Sequence, residues 1–273
     1  MDANGELKRV KEWAWIRGFA NLYHKESQAW WSTRRWWING LLWSVVAVGC
    51  VALMIFFLPA VDAATGNTAI VERMGGLVKM GLMGFFESGA MLITIGLIVL
   101  CQDLIVGEKQ TGLTEWLLAN PVQRKAYVLA KLCATVLAIL LLLVALPGTA
   151  AYVVISIGAG ELVPLQPYLA GMGMLVLHSL FYLTLTLMLG VFSGSRSLIL
   201  GISLGIFFIG NFFAGVLKPL LYVSPWALPK FSSAVAVSQM IPPGLLWPPL
   251  IATTLWCVVF TCAAIIKFER TEL

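Results

Sequence analysis

Residues 103–131 read DLIVGEKQTGLTEWLLANPVQRKAYVLAK. A polar break at 107–111 closes an apolar run that ends near Ile105, and a second apolar run opens at Ala126. Each run can supply the ~20 apolar residues that a membrane-spanning helix needs. Leu113, Trp116 and Leu117 share one helical face, so a surface helix of roughly two turns is expected between the runs. Asn120 precedes Pro121 and ends that helix, because the residue before proline is pushed out of the α region. Asn120 then serves as N-cap of the next helix, with Pro121 at its first position and Gln123 completing the cap. Arg124 and Lys125 stand where a helix dipole prefers acids, which suits contact with lipid phosphates or with a partner's acidic groups. A hairpin between two spans needs only a few residues. This loop uses many, and presents a small rigid knob carrying an aromatic.

Outward from the loop, the apolar runs repeat. Spans are expected at 36–58, 79–105, 126–155, 168–192, 198–217 and 247–266. Composition agrees: 60% of residues are hydrophobic, only 11% are charged, and mean hydropathy is +0.90. A soluble domain carries about 25% charged residues, so soluble classes are excluded. Between the last two spans, prolines at 219, 225, 229, 242 and 243 prevent one continuous helix. Short helices dipping into the membrane are expected there, with a seventh span as the alternative.

Basic residues orient the chain. Lys8, Arg9, Lys11, Arg17, Lys25, Arg34 and Arg35 precede the first span. Lys109, Arg124 and Lys125 follow the second, Arg196 the fourth, and Lys267 and Arg270 the sixth. The opposite loops hold only Arg73, Lys79, Lys218 and Lys230. By the positive-inside rule both ends lie in the cytoplasm of a cell (plasma or inner) membrane. The leader, too polar and aromatic for a cleavable signal peptide, is a cationic amphipathic helix. Trp15, Ile16, Phe19, Ala20, Leu22 and Tyr23 fall on one side; Arg17, Asn21, His24 and Lys25 fall on the other. It is expected flat on the inner leaflet, with Trp30, Trp31, Trp36 and Trp37 as an aromatic belt around Arg34 and Arg35. Residues 1–35 thus form an interfacial N-terminal segment and 36–273 a six-span, all-α transmembrane domain.

Chemistry-bearing constellations are sparse. Five cysteines sit in apolar runs with no CxxC, and neither His24 nor His178 has metal-ligand spacing, so no metal site is expected. No GxxxxGK[ST] occurs, so any ATP must be handled elsewhere, and nothing points to nucleic acid. Asp103 is expected to pair with a nearby Lys or Arg. Within the spans, Glu87, His178 and Asn211 are candidates for a cavity or gate; the alternatives are an interfacial carboxylate, a packing histidine and interhelical glue. Gly201 with Gly205, and Gly210 with Ala214, let another helix approach closely.

The stretch EKQTGLTEWLLANPVQRKAYVLAK, 108–131, resembles the signature of type-2 ABC transporter permeases. Glu108, Gly112, Thr114, Leu117, Leu118, Pro121, Val122, Arg124 and Lys131 match it, and the tail Phe268-Glu269-Arg270 with Glu272 and Leu273 is similar to the family's usual ending. The resemblance implies a permease dimer, of identical or homologous chains, with a separate soluble ATPase subunit that holds ATP and Mg. It implies that the loop helix, through residues such as Glu108, Gly112, Leu113, Thr114, Trp116, Leu117, Pro121 and Arg124, docks on that ATPase, and that the leader touches it. It also implies re-entrant helices between spans five and six, span five near the dimer interface, and export as the usual activity. An ion-coupled carrier and a non-transporting anchor remain the competing readings. Lipids, hydrophobic drugs, peptides, polysaccharides and ions all remain open as substrates.

Overall fold

The computed structural model describes residues 18–65, 69–114, 122–217, 219, 224–239 and 241–270. Among them there is no strand, and six helices are long and apolar enough to cross a membrane. The interfacial helix α1 (Phe19–Trp31) precedes α2, which spans Trp36–Ala64. A short α3 (Ala69–Arg73) leads to α4, built from Leu77–Met83 and Ala90–Cys101 with a π-helical turn, Gly84–Gly89, between them. A bend at 102–105 sets off α5 (Val106–Gln110). Then come α6 (Arg124–Ala159), α7 (Leu165–Phe192), α8 (Arg196–Val216), α9 (Leu228–Ala236) and α10 (Pro243–Glu269).

The first and third spans run past their expected ends because each absorbs an internal proline. Proline removes a helical N–H and its ring clashes with the carbonyl four residues back. In α2 the π turn Leu53–Phe57 lies just before Pro59, and in α6 the π turn Leu140–Ala145 lies just before Pro147. Widening the helix there relieves both conflicts. The π turn in α4 contains no proline; it carries Glu87 instead.

The fourth span is the post of the bundle. In its apolar window 67% of residues are buried, against 17% in the first and in the sixth. It packs on α10, α9, α4 and α8. Outward-facing Leu41, Val45 and Phe57 on α2, and Trp247, Ile251 and Leu255 on α10, remain exposed. Apolar surface on that scale needs lipid around it.

Among the described residues the proline-rich stretch contains no seventh span. After α8 the described residues form a turn of 3₁₀ helix, Pro225–Ala227, and then α9, which has 9 residues. At ~1.5 Å per residue such a helix covers less than half of a bilayer core. It packs against α7 and the Glu87 turn, with Ser232 and Ser233 buried.

Two local expectations change. The helix of the third span does not begin at an Asn120–Pro121 cap. Val122 and Gln123 are non-helical, and the helix opens at Arg124 with Gln123, in extended conformation, before it. Val122 packs the loop's exit instead: its side chain fills the space beside Gly18 at the start of α1. In α1, Lys25 is not on a solvated face. It turns into the protein toward two carboxylates, because α1 lays its inner face on α6 rather than lying only on lipid.

Candidate functional site

The loop after the second span begins with a glycine that no other residue replaces without strain. Gly112 has φ +71°, the left-handed region, and its N–H donates to the Lys109 carbonyl at 3.2 Å. This closes α5 and redirects the chain. Lys109 donates to the carbonyls of Gly190 (3.2 Å) and Val191 (2.6 Å), satisfying the end of α7. Leu113 and Thr114 open the next helical turn, and Thr114 is fully buried beside Tyr127. Trp116, Leu117, Leu118, Asn120 and Pro121 lie outside the described residues, as do Trp15, Ile16 and Arg17 of the leader.

Beneath this loop four charges form a closed ring of alternating sign. Lys25 Nζ lies 3.1 Å from Glu26 Oε1 and 2.7 Å from Glu108 Oε1. Lys131 Nζ lies 2.9 Å from Glu26 Oε2 and 3.1 Å from Glu108 Oε2. The Tyr127 hydroxyl donates to Glu108 Oε2 as well. Lys131 and Glu26 have side chains 3% and 8% exposed. Burial of that degree is tolerated only when each charge is paired and hydrogen-bonded. Burial works against the Lys25 ammonium, but the hydrogen bond it donates to Glu108 and the field of both carboxylates outweigh it and hold its pKa above the usual lysine value.

The ring ties three elements together: α1 through Lys25 and Glu26, α5 through Glu108, and α6 through Tyr127 and Lys131. Apolar packing surrounds it. Leu22 is buried with Tyr127, Val128 and Phe268, and Phe19 and Tyr23, stacked with ring centroids 6.1 Å apart, lie against that cluster. Phe268, from the tail of α10, stacks on Tyr127 at 5.0 Å with an interplanar angle of 10°. Arg124 Nη1 donates to the Glu269 carbonyl at 3.0 Å. The dipole at the start of α6 disfavours this arginine, but the carbonyl end of α10 accepts it. Asp103 pairs with Arg196 at 2.7 Å, with both side chains about half exposed.

Sequence reasoning missed Glu26 and the buried role of Lys25. The signal was present: Glu26 falls four residues after Leu22 and seven after Phe19, on the apolar stripe of α1. A carboxylate on such a stripe requires a cation facing it.

A second constellation lies in the span region. Glu87, His178 and Asn211, from α4, α7 and α8, line one cavity of about 300 Å³ together with Phe207, Trp226 and Lys230. Glu87 accepts a hydrogen bond from Ser233 Oγ at 2.9 Å. His178 is 1% exposed, stacks edge-on against Tyr182, and its Nδ1 lies 3.0 Å from the Pro225 carbonyl. Trp226 donates from Nε1 to the Tyr182 hydroxyl at 3.0 Å. Its indole fills the space beside Gly210, where an added Cβ would fall 1.9 Å from the ring. The 224–227 turn therefore reaches the mid-length of α7. Gly210 meets an indole here rather than a helix, while nothing of the described chain lies within 4 Å of a Cβ at Gly201 or Gly205.

A profile of the ABC-2 family transporter protein matches residues 20–273, from the interfacial helix to the last residue. The chain belongs to the ABC-2 transporter family. It is a multi-pass membrane protein and a permease component of ABC transporters. No curated protein matches the chain. In this ABC-2 permease the charge ring unites Glu108 and Lys131 of the loop signature with the interfacial helix, and the tail Phe268 and Glu269 close over the same place.

Proposed function

We propose that this chain is the transmembrane subunit of an ATP-binding cassette exporter, driven by a separate soluble ATPase that binds ATP and Mg. The observation that carries the reading is the four-charge ring. It makes one body of the interfacial helix, the entry to the loop and the third span, so a push on the loop moves α6 and α1 together. Family membership supports the partner, since ABC-2 permeases work with an ABC ATPase and are not themselves enzymes. Leu113, Thr114, Trp116, Leu117 and Pro121 would form the knob that docks on it, with Arg124 behind them.

In this reading both ends and the loop face the cytoplasm of the cell membrane, as the basic residues favour. The 224–236 segment is then re-entrant from the outer side, and the cavity at Glu87, His178 and Asn211 belongs to the substrate pathway. A second permease chain, identical or homologous, covers the open Gly201–Gly205 face of α8.

The test is co-expression with candidate ABC ATPases and purification of the complex. Replacing Trp116 and Leu117 with charged residues should uncouple ATP hydrolysis from export while the chain still inserts. Transport by proteoliposomes of this chain alone, with no ATPase bound, would overturn the proposal in favour of an ion-coupled carrier. Unchanged transport in cells after the Trp116 and Leu117 changes would favour an anchor.

A further inference from the structure

The cavity between α4, α7 and α8 has a polar wall centred on the Glu87 carboxylate. His178 Nδ1 faces the Pro225 carbonyl, an acceptor only, so Nδ1 must carry the proton and donate. Its Nε2 is then a bare lone pair, and among the described residues it has no partner although it is buried. Asn211 donates its Nδ2 to the Phe207 carbonyl at 2.8 Å, which leaves Oδ1, another acceptor. Glu87 accepts only from the neutral Ser233 hydroxyl, and no lysine or arginine among the described residues lies within ion-pair distance of it. Unspent on Glu87, His178 and Asn211 are therefore three acceptors, one of them a carboxylate, and one Asn211 amide N–H, and the Ser88 hydroxyl also lines the wall. Lys230 is the one cation lining the cavity, and it is exposed.

The rest of the wall is aromatic and soft: Phe207, Phe208, Trp226 and Met91. Aromatic faces attract cations, and a buried lone pair attracts an N–H or O–H. An anionic headgroup would meet the carboxylate and two lone pairs, and would lose on all three. The π turn Gly84–Gly89, the one in the spans that no proline explains, is what carries Glu87 into this wall. We propose that the cavity binds amphipathic amines, with the protonated nitrogen paired to Glu87 and donating toward His178 Nε2 or Asn211 Oδ1, and the apolar body on Phe207, Phe208 and Trp226. At about 300 Å³ it suits a small amphiphile or the head of a larger one. The proposal gives a ligand class to the pathway inferred above. It rests on that reading for transport only, since binding is a property of this chain by itself.

The experiment uses the full chain in nanodiscs of phosphatidylcholine, with empty nanodiscs as the baseline for partition into lipid. Three dansyl probes of matched length are titrated by fluorescence: monodansylcadaverine, its N-acetyl derivative, and an analogue ending in a carboxylate. Monodansylcadaverine should saturate and bind on the order of tenfold tighter than either of the others, the effect of one charge-assisted hydrogen bond. Glu87→Gln should remove that advantage while leaving the N-acetyl probe's affinity unchanged. Asn211→Leu, on the exposed edge of the cavity, should weaken the amine a few-fold. Equal binding of the three probes, tighter binding of the carboxylate, or equal loss on both amine and acetyl probes in Glu87→Gln would overturn the proposal. Amine binding together with failure of every candidate ATPase to co-purify with the chain would sink the exporter reading and leave the site standing. ATP-driven export with no amine binding would do the reverse.

Discussion

Lys131 Nζ sits 2.9 Å from Glu26 Oε2, joining the third span to the interfacial helix across 105 residues of sequence, with both side chains nearly sealed from solvent. Removing one member of a buried pair leaves the other charge uncompensated, at a cost of about 3–5 kcal/mol. Lys131→Met should therefore lower thermal stability in detergent strongly, and Glu26→Gln should do so too. The double variant should recover part of the loss, giving a coupling energy of about 1 kcal/mol or more. Additive losses in that cycle would show that the pair does not act as a unit.

Alkali should release α1 late. Lys25 has a folded pKa above its ordinary value of 10.5, so its contribution is fully present below that pH and is lost as pH rises through the raised folded value. Docking of α1, followed by protease cleavage near Gly18, should stay level from neutral pH to about pH 10.4 and fall only beyond it. A midpoint below pH 9 would contradict the pairing.

Gly112→Ala puts a side chain at φ +71° and should cost about 1 kcal/mol or more, with weakened coupling to the ATPase. Gly194→Ala is the control: it has no positive φ and open space around it, so its melting temperature and activity should match the parent. The two are compared by thermal melts of the purified chain.

Gly210→Val should expel Trp226, because the new side chain would occupy the indole's place. The turn that presents the Pro225 carbonyl to His178 then loses its seat. In a background free of native cysteines, Ser224→Cys should resist maleimide, since Ser224 is 3% exposed, and should become reactive once Gly210→Val is added. No change in labelling would refute the packing role of Trp226.

Much of this architecture could be read from local pattern. Six apolar runs, basic loops and an amphipathic leader are properties of short windows, and they located the six spans and the loop at 108–131. What escaped was set by contacts across the chain. Glu26 drew no notice in the sequence, and only the fold sets Lys131 against it. The helix start moved from Pro121 to Arg124 because the loop's exit packs against Gly18. Gly210 and Ala214 have the spacing of a helix-docking site, yet an indole from a proline-rich turn occupies the Gly210 end of it. Glu87, His178 and Asn211 were singled out one by one as polar residues in apolar spans; only the fold places them around one cavity.

The ring also imposes an order on biosynthesis. Lys25 and Glu26 leave the ribosome long before Glu108 and Lys131 exist, so α1 cannot complete its seat until the third span has been inserted. A chain stalled after the second span would carry an undocked, charged helix at the membrane surface, open to quality-control proteases. Arrival of Lys131 thus completes the seat of the interfacial helix.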